Sequence, residues 1–340
     1  SSEMIGKMGD KAVAKETMRS AGVPVIPGSD GIVDDFFKAK KIAKQMGYPV
    51  MLKASAGGGG RGIVKVNRQQ ELLPAIGQVR EQVAKVFGQG GILLEKCISG
   101  ARHIEVQFVV NQNREAFALG IRDCSIQRKN QKIIEEIPSS FVEIKNVDAI
   151  KQNIKKLLLN NKYEGLGTLE FLYQDNEIFF IEMNTRLQVE HPVTEEAYDI
   201  DLVKYQIMVA AGYKLDLKNI KKENHTIECR INAENAKDFS PSPGKIKFIN
   251  LPGGRGVRID TAIYTSYNVN PHYDSLILKI ISKGTNRNES ISIMKRALDE
   301  IIIDGIDTNI DLHKWILNQK EFKNGTYNTS WLEKNISKFN

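Results

Sequence analysis

Three consecutive segments decide the fold of this chain: Tyr48-Pro49-Val50-Met51-Leu52-Lys53, Ala56-Gly57-Gly58-Gly59-Gly60-Arg61-Gly62 and Ile63-Val64-Lys65-Val66. The apolar and β-branched residues on both sides predict that the glycine loop joins a strand to a strand. A P-loop or a Rossmann fingerprint needs a helix directly after its glycines, so both are excluded. Glycines let backbone N–H groups approach phosphate oxygens closely. The segment therefore predicts a glycine hairpin that closes over a nucleotide as a lid.

Helices and strands alternate along the rest of the chain, which predicts an α/β (α+β) protein. Asp10 is a suitable N-cap for a helix over 11–19, and Gly22 and Pro24 follow its end. Further helices are expected over 34–46, 69–87, 147–159, 201–211 and 288–302. Strands are expected over 91–96, 103–110, 117–123, 132–137, 167–173 and 177–183. Residues 125–131 are interpreted as a polar segment between two of these strands.

The length and composition limit the kind of protein. A chain of 340 residues exceeds the size at which one hydrophobic core stops growing, so we expect two units. Hydrophobic residues make up 41% and charged residues 26%, as in folded globular proteins. No stretch approaches the roughly 20 apolar residues of a membrane span, so we expect a soluble, intracellular chain. Because the sequence opens at Ser1 within a helical pattern, we also expect a preceding segment.

Charge and cysteine content point to small anionic ligands. The net charge is +7, but the lysines are dispersed and no pattern typical of nucleic-acid binding accompanies them. A biased genomic base composition is an alternative cause of the abundant lysine. Cys97, Cys124 and Cys229 are too few and too scattered for a disulfide framework or a zinc site. We expect reduced thiols.

Acidic residues on a predicted hairpin indicate a metal site. With a loop of about three residues around Asp175-Asn176, Glu170 lies opposite Glu182 on one face, where two like charges destabilise a sheet. A cation such as Mg²⁺, held by these carboxylates and by Asn184, would remove that repulsion. If the second strand continued, the same face would carry Glu182, Asn184, Arg186, Gln188 and Glu190. The alternative is an ordinary amphipathic strand with one wet face.

Cationic residues are available to hold the phosphates of such a nucleotide. They are Lys11, Lys53, Arg61, Lys132 and Arg186. Each of them, taken alone, is also compatible with a solvated surface charge. Lys53 is the most specific of the set, because it ends an apolar strand just before the glycines.

Several motifs of this chain closely resemble biotin carboxylase, a family with the ATP-grasp fold. They are Met8-Gly9-Asp10-Lys11, Lys53-Ala54-Ser55 with the glycine run, Arg102-His103-Ile104-Glu105-Val106-Gln107, Arg122-Asp123-Cys124-Ser125, Glu182-Met183-Asn184-Thr185-Arg186-Leu187-Gln188-Val189-Glu190-His191-Pro192-Val193-Thr194-Glu195, Glu228-Cys229-Arg230-Ile231-Asn232-Ala233-Glu234, Tyr273-Asp274-Ser275 and Asp304-Gly305-Ile306-Asp307-Thr308-Asn309. The resemblance implies an ATP-grasp domain over 1–212, with a glycine-rich lid subdomain over about 26–96. It also implies that a biotin carboxylase C-terminal domain over 213–340 follows, and that the given sequence lacks the α/β N-terminal domain of the family.

The resemblance also implies which residues bind the nucleotide. The phosphate contacts correspond to Lys11, Lys53, Gly59 and Gly60. The adenine-reading hinge corresponds to Glu95, Lys96 and Ile98, and the pocket is lined by His103, Gln127 and Asn130. The family commonly has His where this chain has Asn130. Asn keeps hydrogen-bonding capacity but carries no proton charge, so this departure bears on ATP affinity.

Roles in the chemistry follow from the same resemblance. The magnesium ligands correspond to Glu170, Glu182 and Asn184, in agreement with the hairpin argument. The bicarbonate pocket corresponds to Lys132, Arg186, Gln188 and Val189. Glu190 corresponds to the general base, and Arg230 to the group that holds the ureido oxygen of biotin. For Arg230, the alternative is a structural ion pair with Glu228 or Glu234.

By resemblance, the chain is an ATP-dependent ligase that carboxylates biotin on biotin carboxyl carrier protein. Bicarbonate is the carbon source and carboxyphosphate the intermediate, in the first half-reaction of acetyl-CoA carboxylase in fatty acid synthesis. The implied ligands are ATP, Mg²⁺ or Mn²⁺, bicarbonate and biotin. The implied partners are the carrier protein, carboxyltransferase subunits and a second copy of the chain, with no nucleic acid or membrane, in the cytoplasm or a plastid. The alternatives are another ATP-grasp ligase, such as a carbamoyl-phosphate synthetase, and an inactive nucleotide-binding or scaffold chain.

Overall fold

The computed structural model describes residues 1–33, 35–55, 62–87, 91–139, 141–145, 147–217, 220 and 224–339. The first part of the chain forms the elements α1 (Ser2–Gly9), α2 (Lys11–Ser20), α3 (Phe36–Met46), β1 (Val50–Ala54), β2 (Ile63–Val66), α4 (Leu72–Phe87) and β3 (Ile92–Lys96). The central part forms β4 (Arg102–Val110), β5 (Ala116–Arg128), β6 (Gln131–Ile137), α5 (Val147–Asn160), β7 (Gly165–Gln174), β8 (Glu177–Asn184), α6 (His191–Tyr198) and α7 (Leu202–Ala210).

The last part of the chain is built from short strands and helices. They are β9 (His225–Asn232), β10 (Gly244–Lys245), β11 (Phe248–Asn250), β12 (Val257–Thr261), β13 (Asn268–Val269), β14 (Leu276–Gly284), α8 (Arg287–Glu300), β15 (Ile302–Asp304), α9 (Ile310–Asn318), α10 (Lys320–Lys323) and α11 (Trp331–Asn335). Single 3₁₀ turns lie at Gln69–Glu71 and Ile336–Lys338. Among the described residues, no helix is long and apolar enough to cross a membrane.

The glycine loop joins two antiparallel strands, as predicted. β1 pairs with β2 on one side and with β3 on the other, and Lys53 lies opposite Ile63. Apolar side chains from this small sheet and from helices α3 and α4 form a core of their own. Residues 56–61, including Gly59, Gly60 and Arg61, lie outside the described residues. The region predicted as the lid, about 26–96, includes this three-stranded sheet.

A second, larger sheet carries residues of both predicted domains. Its strand order is β12-β14-β9-β6-β5-β4-β7-β8, and every neighbouring pair is antiparallel. The two parts of the chain meet where β6 pairs with β9, with Ile134 opposite Cys229. One apolar core covers the end of the sheet that contains β9 and β14, and another covers the end that contains β4, β7 and β8. The predicted boundary near residue 212 therefore divides the sequence but not the sheet.

The predicted end of a strand at residue 123 is wrong, because most of the polar segment over residues 125–131 belongs to strands. Strand β5 continues to Arg128, and a two-residue turn at Lys129 and Asn130 leads into β6. Both turn residues have positive φ angles, 48° and 63°, which is typical of a tight hairpin turn. Two polar residues of the segment, Ser125 and Gln127, are buried and have hydrogen-bond partners, as when the Ser125 hydroxyl accepts a hydrogen bond from the His103 N–H. Polarity alone was therefore a misleading signal.

The opposition of Glu170 and Glu182 is confirmed, but for a different reason than the one predicted. The β7–β8 turn has two residues, Asp175 and Asn176, rather than about three. A bulge next to Glu170 then shifts the register by one residue and brings Glu170 opposite Glu182. Two departures from the predicted geometry thus cancel.

The prediction of one continuous strand face from Glu182 to Glu190 is also wrong. β8 ends at Asn184, residues 185–190 turn, and helix α6 begins at His191 with Pro192 in its first turn. Proline fits the first turn of a helix, because the missing N–H has no partner there in any case. The sequence pattern was read as alternation, and the short helix α6 was missed.

Candidate active site

A buried lysine forms the centre of the site. Lys132 on β6 places its Nζ 2.6 Å from Glu105 Oε2, 3.1 Å from Glu170 Oε1 and 2.5 Å from Glu190 Oε1. Burial alone would lower the pKa of Lys132, but the three carboxylates outweigh it and raise the pKa well above its usual value. The predicted cation Lys132 is thus a permanently charged link between strands β4 and β7 and the turn before α6.

Glu190 is held between two cations. Besides Lys132, the Arg230 guanidinium on β9 contacts Glu190 Oε2 at 2.9 Å. Burial would raise the pKa of Glu190, but Lys132, Arg230 and Arg122 hold it well below the usual value for a glutamate. The carboxylate is therefore ionised.

Arg230 has partners other than those considered from the sequence. Its Nε donates a hydrogen bond to Glu135 Oε1 at 2.6 Å, and the same guanidinium pairs with Glu190. The alternative of an ion pair with Glu228 or Glu234 is wrong, because the side chain reaches across to β6 instead. The backbone carbonyl of Arg230 accepts hydrogen bonds from Asn309 and His313, which fix this part of β9 from behind.

A fully buried arginine that was given no role from the sequence organises the site. Arg122 on β5 donates to Glu105 Oε1 at 2.5 Å and to Gln188 Oε1 at 2.9 Å. Its remaining partners are Gln107, Thr168 and Thr194. Because Arg122 occupies the amide oxygen of Gln188, the Gln188 amide nitrogen faces Glu170 Oε1 at 2.6 Å. Arg122 lies in one of the motifs that resemble biotin carboxylase, but only the structure shows that its side chain is fully buried.

The predicted metal ligands come together on one face. The Asn184 amide donates to Glu170 Oε1 at 2.9 Å and lies 3.5 Å from Glu182 Oε1. One small group thus spans both carboxylates, so the donor set fits Mg²⁺, which takes hard oxygen ligands and often only one or two carboxylates. Burial would raise the pKa of Glu170, but Lys132 and His103 lower it, so the group stays ionised. Lys11 Nζ lies 3.6 Å from Glu182.

The lid sheet contributes a second group of charges. Lys53 Nζ lies 2.6 Å from Glu95 Oε2, and Lys15, which was not predicted, lies 3.1 Å from Glu95 Oε1. Burial would raise the pKa of Glu95, but both lysines outweigh it and lower the pKa. The side chain of Lys96 instead donates to the carbonyls of Met46 and Gly47 at the end of helix α3. Among the predicted hinge residues, Glu95 therefore contacts the lysines of this group, whereas the Lys96 side chain does not.

The residues predicted to line the nucleotide pocket divide into two groups. His103 Nδ1 accepts from Gln127 Nε2 at 2.6 Å, and His103 Nε2 lies 2.9 Å from Glu170 Oε2. His103 thus adjoins the predicted metal ligand Glu170, and Gln127 is linked to it through His103. Asn130 is instead exposed in the β5–β6 turn, where its positive φ suits asparagine. Ile98, half-buried, follows the end of β3.

The turn between β8 and α6 forms the open side of the site. Arg186 is exposed and donates to the Leu187 carbonyl, so its side chain is not held by the buried carboxylates in this structure. Val189 is also exposed, and its carbonyl accepts a hydrogen bond from Lys279 Nζ at 2.9 Å. Lys279, on β14, was not predicted.

Known protein families match the chain in two parts. The family model for the carbamoyl-phosphate synthase L chain ATP-binding domain matches residues 10–218, and that for the biotin carboxylase C-terminal domain matches residues 228–334. Biotin carboxylase 1 of Bacillus subtilis is 46% identical over 338 residues, which cover 98% of this chain and 75% of that protein. The chain belongs to the biotin carboxylase family. The C-terminal match and this relative decide against the carbamoyl-phosphate synthetase alternative.

Solved structures of biotin carboxylases have the same fold. A complex of the Campylobacter jejuni biotin carboxylase with β,γ-ATP superimposes with a TM-score of 0.95 at 45% identity, covering 98% of this chain and 75% of that one. The biotin carboxylase domain dimer of Hydrogenobacter thermophilus 2-oxoglutarate carboxylase, with MgADP, ADP and bicarbonate, has a TM-score of 0.96 at 43% identity, covering 99% and 76%. The predicted ATP-grasp fold and the predicted activity, ATP-dependent carboxylation of biotin, are confirmed.

Proposed function

We propose that this chain activates bicarbonate with ATP at the Lys132 cluster and transfers the carboxyl group to biotin beside Arg230. The observation that carries the proposal is the position of Glu190. Its carboxylate contacts Lys132 on the side of Glu170 and Arg230 on the side of β9. A base placed there adjoins both the phosphate-side acids and the group assigned to biotin.

In this proposal Glu190 takes the proton of bicarbonate, and the bicarbonate oxygen attacks the γ-phosphorus of ATP to form carboxyphosphate and ADP. Arg186, Gln188 and the backbone of Val189 hold the bicarbonate. Lys132, Lys11 and Lys53 offset the charge that spreads over the transferred phosphoryl group. A magnesium ion held by Glu170, Glu182 and Asn184 would neutralise phosphate charge when bound.

The ion pairs of Glu190 determine how strong a base it is before and after the substrates bind. While Lys132 and Arg230 both contact Glu190, the low pKa makes it a weak base. Anionic phosphate attracts Lys132, and the ureido oxygen of biotin attracts Arg230. Each contact that moves to a substrate weakens one of the interactions that lower the pKa of Glu190, so the carboxylate becomes a stronger base. Carboxyphosphate then releases CO₂ and phosphate next to biotin, and phosphate takes the biotin N1′ proton. Arg230 stabilises the resulting enolate, whose N1′ attacks CO₂ to form carboxybiotin.

The nucleotide and domain assignments belong to the same proposal. Lys11, Lys53, Gly59 and Gly60 bind phosphates, the 95–98 segment reads adenine, and His103, Gln127 and Asn130 line the pocket. The ATP-grasp domain spans 1–212 with its lid over about 26–96, and the C-terminal domain spans 213–340. The separate core of the three-stranded sheet supports the lid assignment, because a unit with its own core moves without disturbing the larger sheet.

The proposed partners are biotin carboxyl carrier protein, carboxyltransferase subunits that use acetyl-CoA, and a second copy of this chain. The dimeric Hydrogenobacter domain supports the last of these. A pyruvate carboxylase subunit of Methanothermobacter thermautotrophicus and a chloroplastic biotin carboxylase of Arabidopsis thaliana show that acceptors and compartments vary among related proteins. We propose the cytoplasm, or a plastid, as the location of this chain.

The proposal is tested with the full-length protein, ATP, free biotin and labelled bicarbonate. We expect ADP release that depends on bicarbonate and labelled carboxybiotin that depends on biotin. ADP release with bicarbonate and ammonia, but without labelled carboxybiotin, would assign the site to a carbamoyl-phosphate-forming reaction. No ADP release in the presence of demonstrated ATP binding would contradict any ligase function of this site.

A further inference from the structure

Two buried carboxyl groups that the reaction above does not use face each other beside Arg230. Glu135 on β6 lies directly opposite Glu228 on β9, and both residues are fully buried. Directly opposed residues of an antiparallel pair share one face of the sheet, with their Cβ atoms roughly 5 Å apart. Glu135 Oε1 accepts from Arg230 Nε, but Glu135 Oε2 and both oxygens of Glu228 have no hydrogen-bond partner. Three buried carboxyl oxygens in one place therefore lack a donor.

The cations near Glu228 contact other groups. On β9 itself, Arg230 contacts Glu135 and Glu190. On β14, Lys279 contacts the Val189 carbonyl and lies 3.4 Å from Asp260. Within the described residues, no salt bridge reaches Glu228.

Among the described residues, helix α6 and the opposite face of β9 place no counter-ion in contact with Glu228 either. On helix α6, which packs on β9, Glu195 pairs with Arg258, and His191 Nδ1 contacts the Gln188 carbonyl. The opposite face of β9 carries Ile227, Cys229 and Ile231 and belongs to the apolar core.

Two ionised carboxylates cannot share such a place at neutral pH without a large cost. Glu135 has Arg230 as a counter-ion, whereas Glu228 has none in contact. Burial and the charge of Glu135 raise the pKa of Glu228 well above its usual value, against the weaker opposing effects of Lys279 and Arg230. The pair therefore retains a proton, and the proton resides on Glu228. A protonated carboxyl group is a hydrogen-bond donor, and Glu135, the residue directly opposite, has an acceptor, Oε2, without a partner.

We propose that Glu228 is a neutral carboxylic acid that donates a hydrogen bond to Glu135 and thereby positions Arg230 for the carboxylation of biotin. This inference rests on the role proposed above for Arg230. With one Glu135 oxygen bound to Glu228 and the other to Arg230 Nε, the guanidinium is anchored at its inner edge. Its Nη2 lies 2.5 Å from the same Glu135 oxygen, Oε1, and 2.9 Å from Glu190 Oε2, so Glu135 holds the guanidinium against Glu190. Glu228 is a positioning residue, since it touches neither substrate nor reacting atoms.

Loss of the proton would disturb this arrangement. An ionised Glu228 would compete with Glu190 and with substrate for the Arg230 guanidinium. The affinity for biotin is therefore expected to fall at alkaline pH, as the pair gives up its proton. Glutamine at position 228 cannot ionise and still donates through its amide, so it imitates the protonated acid.

Three variants of the full-length enzyme separate positioning from a merely structural role. We expect the KM of the native enzyme for biotin to rise at alkaline pH. Glu228→Gln should keep this KM within about twofold at neutral pH and should lose the alkaline rise. Glu228→Ala removes the donor, and we expect a KM for biotin about tenfold higher, since hydrogen bonds to charged groups have about this value. The control Glu177→Gln replaces an exposed glutamate and should keep the native pH profile. Equal KM values and equal pH profiles for Glu228→Gln and Glu228→Ala would overturn the proposal.

Infrared difference spectroscopy tests the protonation state without any turnover. The spectrum of the native protein minus that of Glu228→Gln should contain the C=O stretch of a protonated carboxylic acid at neutral pH, and the Glu177→Gln difference should contain only carboxylate bands. If the Glu228 difference shows carboxylate bands alone, the proposal is wrong. This readout does not depend on whether Glu228→Ala folds. A native protein with the acid band but without biotin-dependent ATP cleavage would instead contradict the proposed function.

Discussion

Replacement of Glu190 by glutamine is the most direct test of the assigned chemistry. Glutamine preserves the shape of the side chain but accepts no proton. Neither cation that contacts Glu190 is left without a counter-ion, because Lys132 keeps Glu105 and Glu170 and Arg230 keeps Glu135. We therefore expect the variant to fold and to bind nucleotide.

The expected loss of rate follows from the role of a positioned base. Such a base contributes roughly 10²–10⁴ in rate, which corresponds to about 3–5 kcal/mol of transition-state stabilisation. The low pKa of Glu190 in the free site also sets the sign of its pH dependence. Its folded pKa lies below the unfolded value, so the carboxylate stays ionised at neutral pH. Titration of Glu190 in the free enzyme thus causes no loss of activity between about pH 6 and 7.

The assay follows bicarbonate-dependent ADP release and labelled carboxybiotin in the full-length protein. Nucleotide affinity is measured in parallel by calorimetry, and Glu177→Gln serves as a matched control on the exposed start of β8. The reasoning fails if Glu190→Gln carboxylates biotin within about tenfold of the native rate. It also fails if the variant loses nucleotide binding to the same degree as catalysis, since Glu190 would then support the nucleotide site and not the proton transfer.

Three further predictions address stability, pH and metal. Arg122→Lys keeps a charge beside Glu105 but loses at least two of five buried hydrogen bonds, since an ammonium group donates only three. We therefore expect a loss of about 3 kcal/mol in the free energy of unfolding by urea. The exposed Arg296→Lys should change it by about 0.5 kcal/mol or less, and equal effects would refute the assigned burial. Burial lowers the pKa of His313 to about 4, and its folded pKa thus lies below the unfolded value. Stability should therefore decline as the pH falls from about 6.5 to about 4, by about 3 kcal/mol in total, and His313→Gln should remove this part of the decline in pH-dependent denaturation. Glu170→Gln should weaken nucleotide binding in calorimetry with Mg²⁺ much more than without it, and an equal loss in both conditions would argue against a metal ligand.

Local patterns in the sequence predicted much of the fold and part of the site. The strand-to-strand glycine loop and the N-cap at Asp10 are properties of adjacent residues, and the structure has both. The pairing of Glu170 with Glu182 was also correct. It was correct by cancellation, however, because neither the two-residue turn nor the bulge was expected. Register depends on such irregularities, which leave little trace in a single sequence.

Contacts between distant segments were the part that the sequence could not predict. Lys15 reaches Glu95, and Arg122 reaches Gln188, across 80 and 66 positions of the chain. The pairing of β6 with β9 determines that Arg230 binds Glu135. Hydrophobic periodicity indicates which face of an element is buried, but it does not indicate which other element covers that face. Short helices such as α6 and α10 were missed because they are too brief to show a period.

The continuity of the large sheet determines how the chain can be divided. If the chain were cut at residue 212, β6 would lose β9 and would present an unpaired row of N–H and C=O groups along Ile134–Ile137. Open edges of this kind recruit other chains and lead to aggregation. An isolated fragment 1–212 is therefore a poor candidate for expression or crystallisation, whereas a cut that removes only the three-stranded lid would leave every strand of the large sheet paired.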